Sequence, residues 1–142
     1  MYEGSGSFVF HDRAARAKGS IRVFYFRPPG PDLPIVLALH GATRAGEEFR
    51  DWLVASAQKL GFLLLVPEFD VEAFPNAHAY NYGNVRTAPP DNRVIPRSGW
   101  NFGIIDRLFD HVVETTGSNA KSFHLFGLSA GAQSRAALSR VE

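Results

Sequence analysis

Three short stretches of the chain are apolar almost without interruption: Ile35-Val36-Leu37-Ala38-Leu39, Phe62-Leu63-Leu64-Leu65-Val66 and, apart from its histidine, Phe123-His124-Leu125-Phe126. Continuous runs of this length between turn residues suit strands buried on both faces, as in a parallel sheet. Two strands of another kind precede them. Ser7-Phe8-Val9-Phe10 is short, and Ile21-Arg22-Val23-Phe24-Tyr25-Phe26 is β-branched and aromatic with partial alternation, which suits a half-exposed strand. The polar stretch from His11 to Gly19 turns between them, so the pair predicts an antiparallel hairpin, stopped by Pro28-Pro29-Gly30-Pro31.

Helical spacing fills the gaps between the apolar runs. Phe49, Trp52, Leu53 and Leu60 fall on one face, with Glu47 and Glu48 in the first turn and Gly61 at the end. Phe102, Ile105, Leu108, Phe109, Val112 and Thr116 repeat the pattern, and Gly117 closes it. Two strands followed by alternating strands and helices predict an α/β fold: a leading antiparallel hairpin, then parallel strands with helices on both faces. The segment from Asp70 to Ser98 has no sustained period. It holds four prolines and the run Tyr80-Asn81-Tyr82-Gly83-Asn84. Loops longer than ~12–15 residues are unusual and often cover an active site, so an ordered functional loop is the expectation and a disordered insertion the alternative.

Composition narrows the classes. The 142 residues suit one domain spanning 1–142, and 45% hydrophobic content with a net charge of +1 excludes disorder. Basic and acidic residues are interspersed, so no nucleic-acid footprint is expected. The small cluster Arg13, Arg16, Lys18 and Arg22 reads as a solvated turn. The absence of cysteine removes disulfides, thiolate metal sites and a thiol nucleophile. No apolar run reaches the ~18 residues of a membrane span. The N-terminal stretch lacks the apolar core of a secretory signal, so with Met1 as the true start a cytoplasmic protein is expected.

The chemistry is concentrated in Gly127-Leu128-Ser129-Ala130-Gly131. A bare Gly-x-Ser-x-Gly is weakly specific, but here an apolar strand leads in and Ala132 to Leu138, rich in helix formers, leads out. Strand, tight turn and helix would put Ser129 at the apex. Gly127 and Gly131 would remove the bulk that such a turn excludes, and the helix N-terminus would face the serine. The plain alternative is a glycine-rich turn with an incidental serine. Leu39-His40-Gly41-Ala42-Thr43 follows the first apolar strand and complements this reading. Two amide donors are needed for a tetrahedral oxyanion: Ala130 offers one, and Ala42, or next Thr43, the other. His40, beside the strand end, reads as a hydrogen-bonded structural residue rather than a base.

Together these residues resemble the α/β-hydrolase family. The resemblance runs from Ser20 to Glu142, and HGATRAG, LGFLLLVPEFD and FGLSAGAQ are most similar to the polyhydroxybutyrate-depolymerase and feruloyl-esterase-like branch. It implies an α/β-hydrolase sheet, hydrolysis of small-molecule or polymeric esters through an acyl-enzyme on Ser129, and no cofactor or metal. In that family the acid and then the histidine follow the nucleophile, yet only eleven residues follow Gly131. The chain therefore reads as the N-terminal half of such an enzyme, ending after the elbow helix. His11, His111 and His124 precede the elbow within predicted elements. His78, in the long loop, is the one histidine able to swing towards Ser129, and Asp70 reads as a cap rather than a catalytic acid. The competing expectation is an inactive fragment, at most an interaction module that self-associates through an exposed edge at Phe123 to Phe126.

Overall fold

A computed structural model describes residues 1–15 and 19–141, with the backbone alone at 137–141. Arg16 and Lys18 of the basic cluster lie outside the described residues, while Arg13 and Arg22 are exposed. The leading hairpin consists of β1 (Gly4–His11) and β2 (Ser20–Arg27), paired antiparallel. It is followed by β3 (Ile35–Leu39), α1 (Gly46–Leu60), β4 (Leu63–Pro67), α2 (Asn101–Thr116), β5 (His124–Gly127) and α3 (Ala130–Val141). The five strands lie in the order β1-β2-β4-β3-β5. β4 is antiparallel to β2, whereas β3 runs parallel to both β4 and β5.

The continuous apolar runs work as expected for β3 and β4. Successive side chains of a strand point to opposite faces, and both faces are covered. Leu63 and Leu65 join a core with Ile104, Ile105, Leu108 and Val112 of α2. Leu64 and Val66 join another with Phe49 and Ala57 of α1. Both helices end as their glycines predict, with Gly61 and Gly117 left-handed at φ 71° and 68°. α1 has no side-chain cap of its own. The Gly46 N–H donates instead to the Glu68 carboxylate at 2.9 Å, an anion supplied to the helix N-terminus from beyond β4.

Three expectations fail. Trp52 and Leu60 are 64% and 72% exposed rather than part of the buried face of α1. The sheet contacts a stripe of that helix, its apolar part supplied by Phe49, Leu53, Val54 and Ala57. Thr116 is exposed at the end of α2, and Ile104, absent from the predicted stripe, is buried. β5 begins at His124 rather than Phe123 and is not buried on both faces. His124 and Phe126 are exposed because the strand borders the sheet and pairs only with β3 among the described residues. Among the described residues no helix is long and apolar enough to cross a membrane.

The segment from Asp70 to Ser98 is a succession of turns with one bridge, Arg86 to Val94, leading into a 3-10 turn at Arg97–Gly99. Asp70 caps its first turn by accepting from the Glu72 and Ala73 amides. Tyr80 is fully buried, and its hydroxyl donates to the His40 carbonyl at 2.5 Å. His40 ties the ends of β3 and β4 together. Its Nε2 accepts from the Phe69 N–H at 2.9 Å, which assigns the proton to Nδ1, 2.9 Å from the Gly41 carbonyl.

This clamp requires a neutral imidazole. Burial, with the Arg44 guanidinium adding to it, lowers the His40 pKa from 6.5 to about 4 against its backbone hydrogen bonds. The unfolded chain therefore takes up a proton at a pH where the folded chain does not. Stability is complete above the unfolded value and falls as pH drops from 6.5 towards 4, by about 3 kcal/mol in all. Urea unfolding at a series of pH values should show this slope. His40→Gln, which does not titrate, should be less stable at pH 7 but about one proton flatter across the window. An unchanged slope in the variant would remove His40 as its source.

Candidate active site

The turn between β5 and α3 is shaped by backbone approaching backbone. A Cβ on Gly131 would lie 2.1 Å from the Leu39 carbonyl oxygen and 2.7 Å from that of His40. A Cβ on Gly127 would lie 2.5 Å from the Gly131 carbonyl oxygen. Neither position has room for a side chain, so the spacing of the two glycines follows from helix–strand contact. Between them Ser129 adopts φ +53°, a left-handed conformation that is uncommon for a residue with a Cβ. The Leu128 N–H bonds to the Leu39 carbonyl at 3.2 Å, and the Gly131 N–H returns to the Leu128 carbonyl at 2.9 Å. Ser129 is exposed at the start of α3, and no described residue hydrogen-bonds its hydroxyl.

The loop after β3 lies against this turn. A Cβ on Gly41 would sit 3.8 Å from the Cβ of Ser129. The Arg44 N–H donates to the Gly41 carbonyl at 3.1 Å, making a turn with Ala42 and Thr43 at its centre and Arg44 left-handed at φ +60°. The N–H groups of Ala42, Thr43 and Ala130 bond to no described residue, so three amides near the serine keep their donors free. Loop, turn and α1 enclose a cavity of about 280 Å³ that reaches Ser129, Ala42, Thr43, Leu128, Glu48 and Trp52.

Arg44, which sequence reasoning missed, holds the loop in place together with Tyr80 and Asn81 of the long segment that it singled out. The Arg44 guanidinium lies 4.5 Å from the Tyr80 ring centre and donates to the Phe69 carbonyl. Burial pushes the Tyr80 hydroxyl pKa up despite that cation, which keeps it a donor. Asn81 bonds to Gln133 of α3 at 2.7 Å, so the long segment touches the elbow helix as well as the loop. No local pattern signals these contacts, because the partners are 25 to 52 residues apart.

The titratable groups named from sequence are dispersed. Both His40 nitrogens are occupied, His78 packs edge-on against Tyr82 at 5.2 Å, and His124 is an exposed edge-strand residue. His11 bonds to Ser20 across the hairpin, and His111 of α2 packs against Phe10. Among the described residues, none of the five forms a hydrogen-bonded pair with Ser129.

No family model matches the sequence, and no curated protein is similar enough to align with it. Solved structures do match. Poly(aspartic acid) hydrolase-1 from Sphingomonas sp. KT-1 is 30% identical, with a TM-score of 0.82 over 94% of this chain and 49% of its own. A poly(3-hydroxybutyrate) depolymerase from Bordetella parapertussis is 28% identical, with a TM-score of 0.81 over 93% of this chain and 45% of its own. An S-formylglutathione hydrolase from Agrobacterium tumefaciens shares the fold at 14% identity and a TM-score of 0.65. The chain spans about half the length of these solved relatives. Its strand order, its register and these likenesses together identify the fold as that of the α/β hydrolases, the relationship that the sequence motifs suggested.

Proposed function

We propose that this chain carries the nucleophile and oxyanion-hole half of a serine hydrolase acting on carboxylic esters. The observation that carries the reading is Ser129 at φ +53° at the start of a helix, beside free amides on two separate segments. In the proposed reaction the Ser129 oxygen attacks the ester carbonyl carbon. The alcohol leaves with a proton, and water then releases the acyl group. Ala42 and Ala130 are the proposed amide donors to the tetrahedral oxyanion, and Gly127 and Gly131 let the turn form. The neighbours whose names specify a polyester or a polyamide substrate make a polymeric substrate as reasonable as a small one. The general base and its acid partner would come from beyond this chain.

A second reading is an inactive fragment that acts, if at all, by association. It is favoured by the lack of a described histidine paired with Ser129 and by the outer edge of β5, which no described strand pairs with. A serine without an adjacent base is a weak nucleophile. An exposed edge with no charged residue between Phe123 and Phe126 invites pairing with another copy.

Two measurements separate the readings. In a chain extended with the second half of a hydrolase of this fold, Ser129→Ala should lower p-nitrophenyl butyrate hydrolysis by roughly 10³-fold or more; near-normal turnover would overturn the assignment. Residues 1–142 alone should show no appreciable Ser129-dependent turnover. By light scattering they should run above the monomer mass, and His124→Lys should reduce that association. A monodisperse monomer would dismiss the edge as an interaction surface.

A further inference from the structure

The cavity beside Ser129 is walled on one side by the first turns of α1, and the side chains presented there have uneven chemistry. Phe49 is buried and stacks on Phe126 at 6.2 Å between ring centres. Trp52 meets Phe49 edge-on at 6.4 Å yet remains 64% exposed. The core does not use it, since the α1 side chains packed with the sheet are Phe49, Leu53, Val54 and Ala57. Leu128, 44% exposed, bounds the cavity beside the serine. A large aromatic face left in water at the rim of a reactive site is available to an apolar group of a ligand.

Glu48 is the one charged residue lining this cavity among the described residues, and nearby cations do not neutralise it. Arg50 is occupied by Glu47, Asp51 and the carbonyls of Gly6 and Tyr25. Arg44 turns towards Tyr80 and Phe69. The helix N-terminus itself stabilises a carboxylate in the first turn of α1. The cavity therefore pairs an apolar platform with a negative charge that no described side chain pairs with, and a ligand carboxylate seated on Trp52 would meet that charge.

We propose that this cavity takes uncharged esters with an apolar, ring-sized acyl or alcohol group, Trp52 serving as the platform and Glu48 turning away substrates that carry a carboxylate. The inference rests on the reading of Ser129 as the nucleophile, which makes the cavity a reaction site. A volume of about 280 Å³ accommodates one such group.

The test is equilibrium binding to residues 1–142 by ligand-detected NMR at pH 7. The probes are N-benzylacetamide, which is uncharged, and N-benzylsuccinamate, which adds a carboxylate. Neither is an ester, so the outcome does not depend on bond cleavage, and an inert Ser129 is diagnosed separately by the hydrolysis assay. The neutral probe should bind about fivefold more tightly, the scale of a like-charge contact at a wet surface. Glu48→Gln should abolish the preference. Trp52→Ala should weaken both probes about fivefold, and Trp52→Phe should restore most of the loss. Both side chains face solvent, so the variants should keep the fold, which circular dichroism verifies. Equal affinities in the unmodified chain, a preference that survives Glu48→Gln, undiminished binding in Trp52→Ala, or no binding of either probe would each overturn the proposal.

Discussion

The candidate site depends on one steric constraint: the first turn of α3 lies directly on the backbone at the end of β3. With hydrogen in place of a side chain at Gly131, the helix approaches the Leu39 and His40 carbonyls to a distance that no Cβ permits. That approach brings Ser129 against Gly41 and places the Ala42–Thr43 turn beside the serine. Any side chain at Gly131 would lift α3 and separate the serine from the amides. The left-handed backbone of Ser129 is the other half of this arrangement, a strained conformation held because the helix and strand on either side leave the turn no alternative.

The same point is secured from the opposite side by polar contacts that bury no free charge. His40 receives the Phe69 N–H and faces the Gly41 carbonyl, while its own carbonyl accepts the Tyr80 hydroxyl. Arg44 lies over the Tyr80 ring and reaches back to the Phe69 carbonyl. Buried polar groups are tolerable when each is satisfied, and here they join the loop after β3 to the segment after β4. The turns from Asp70 to Ser98 are thus bound to the site by Tyr80 and Asn81 and serve as its support.

Much of this was legible from the chain because the signals are local. Apolar runs marked β3 and β4, glycines marked the ends of α1 and α2, and the Gly127–Gly131 spacing marked a tight strand-to-helix turn. What was not legible depended on distant neighbours. Helical spacing assigns a residue to a face but does not say how wide a stripe the sheet will cover, so Trp52 and Leu60 share the face of Phe49 and Leu53 in the sequence and stay outside the core in the fold. An apolar run alone says nothing of whether a further strand flanks it, so the periodicity of Phe123 to Phe126 suggests burial on both faces, and the exposed edge of β5 follows only from the few residues beyond the elbow. The cap of α1 comes from Glu68, 22 residues away, while the local sequence offers only Ala45.

The strand order also has a kinetic and local-stability consequence. The β1–β2 hairpin pairs residues close in sequence, whereas Val36 meets His124 only after a long intervening chain has been organised. Closing such a distant contact costs entropy that the hairpin does not pay. β5 has four residues, alternating exposed positions and one neighbour in the sheet among the described residues, and α3 rests on it. Elements with few buried partners open at lower free energy than the global transition. Ser129 therefore sits between two elements with few buried partners among the described residues, which predicts that its turn orders after the hairpin and opens at lower free energy than the two central strands.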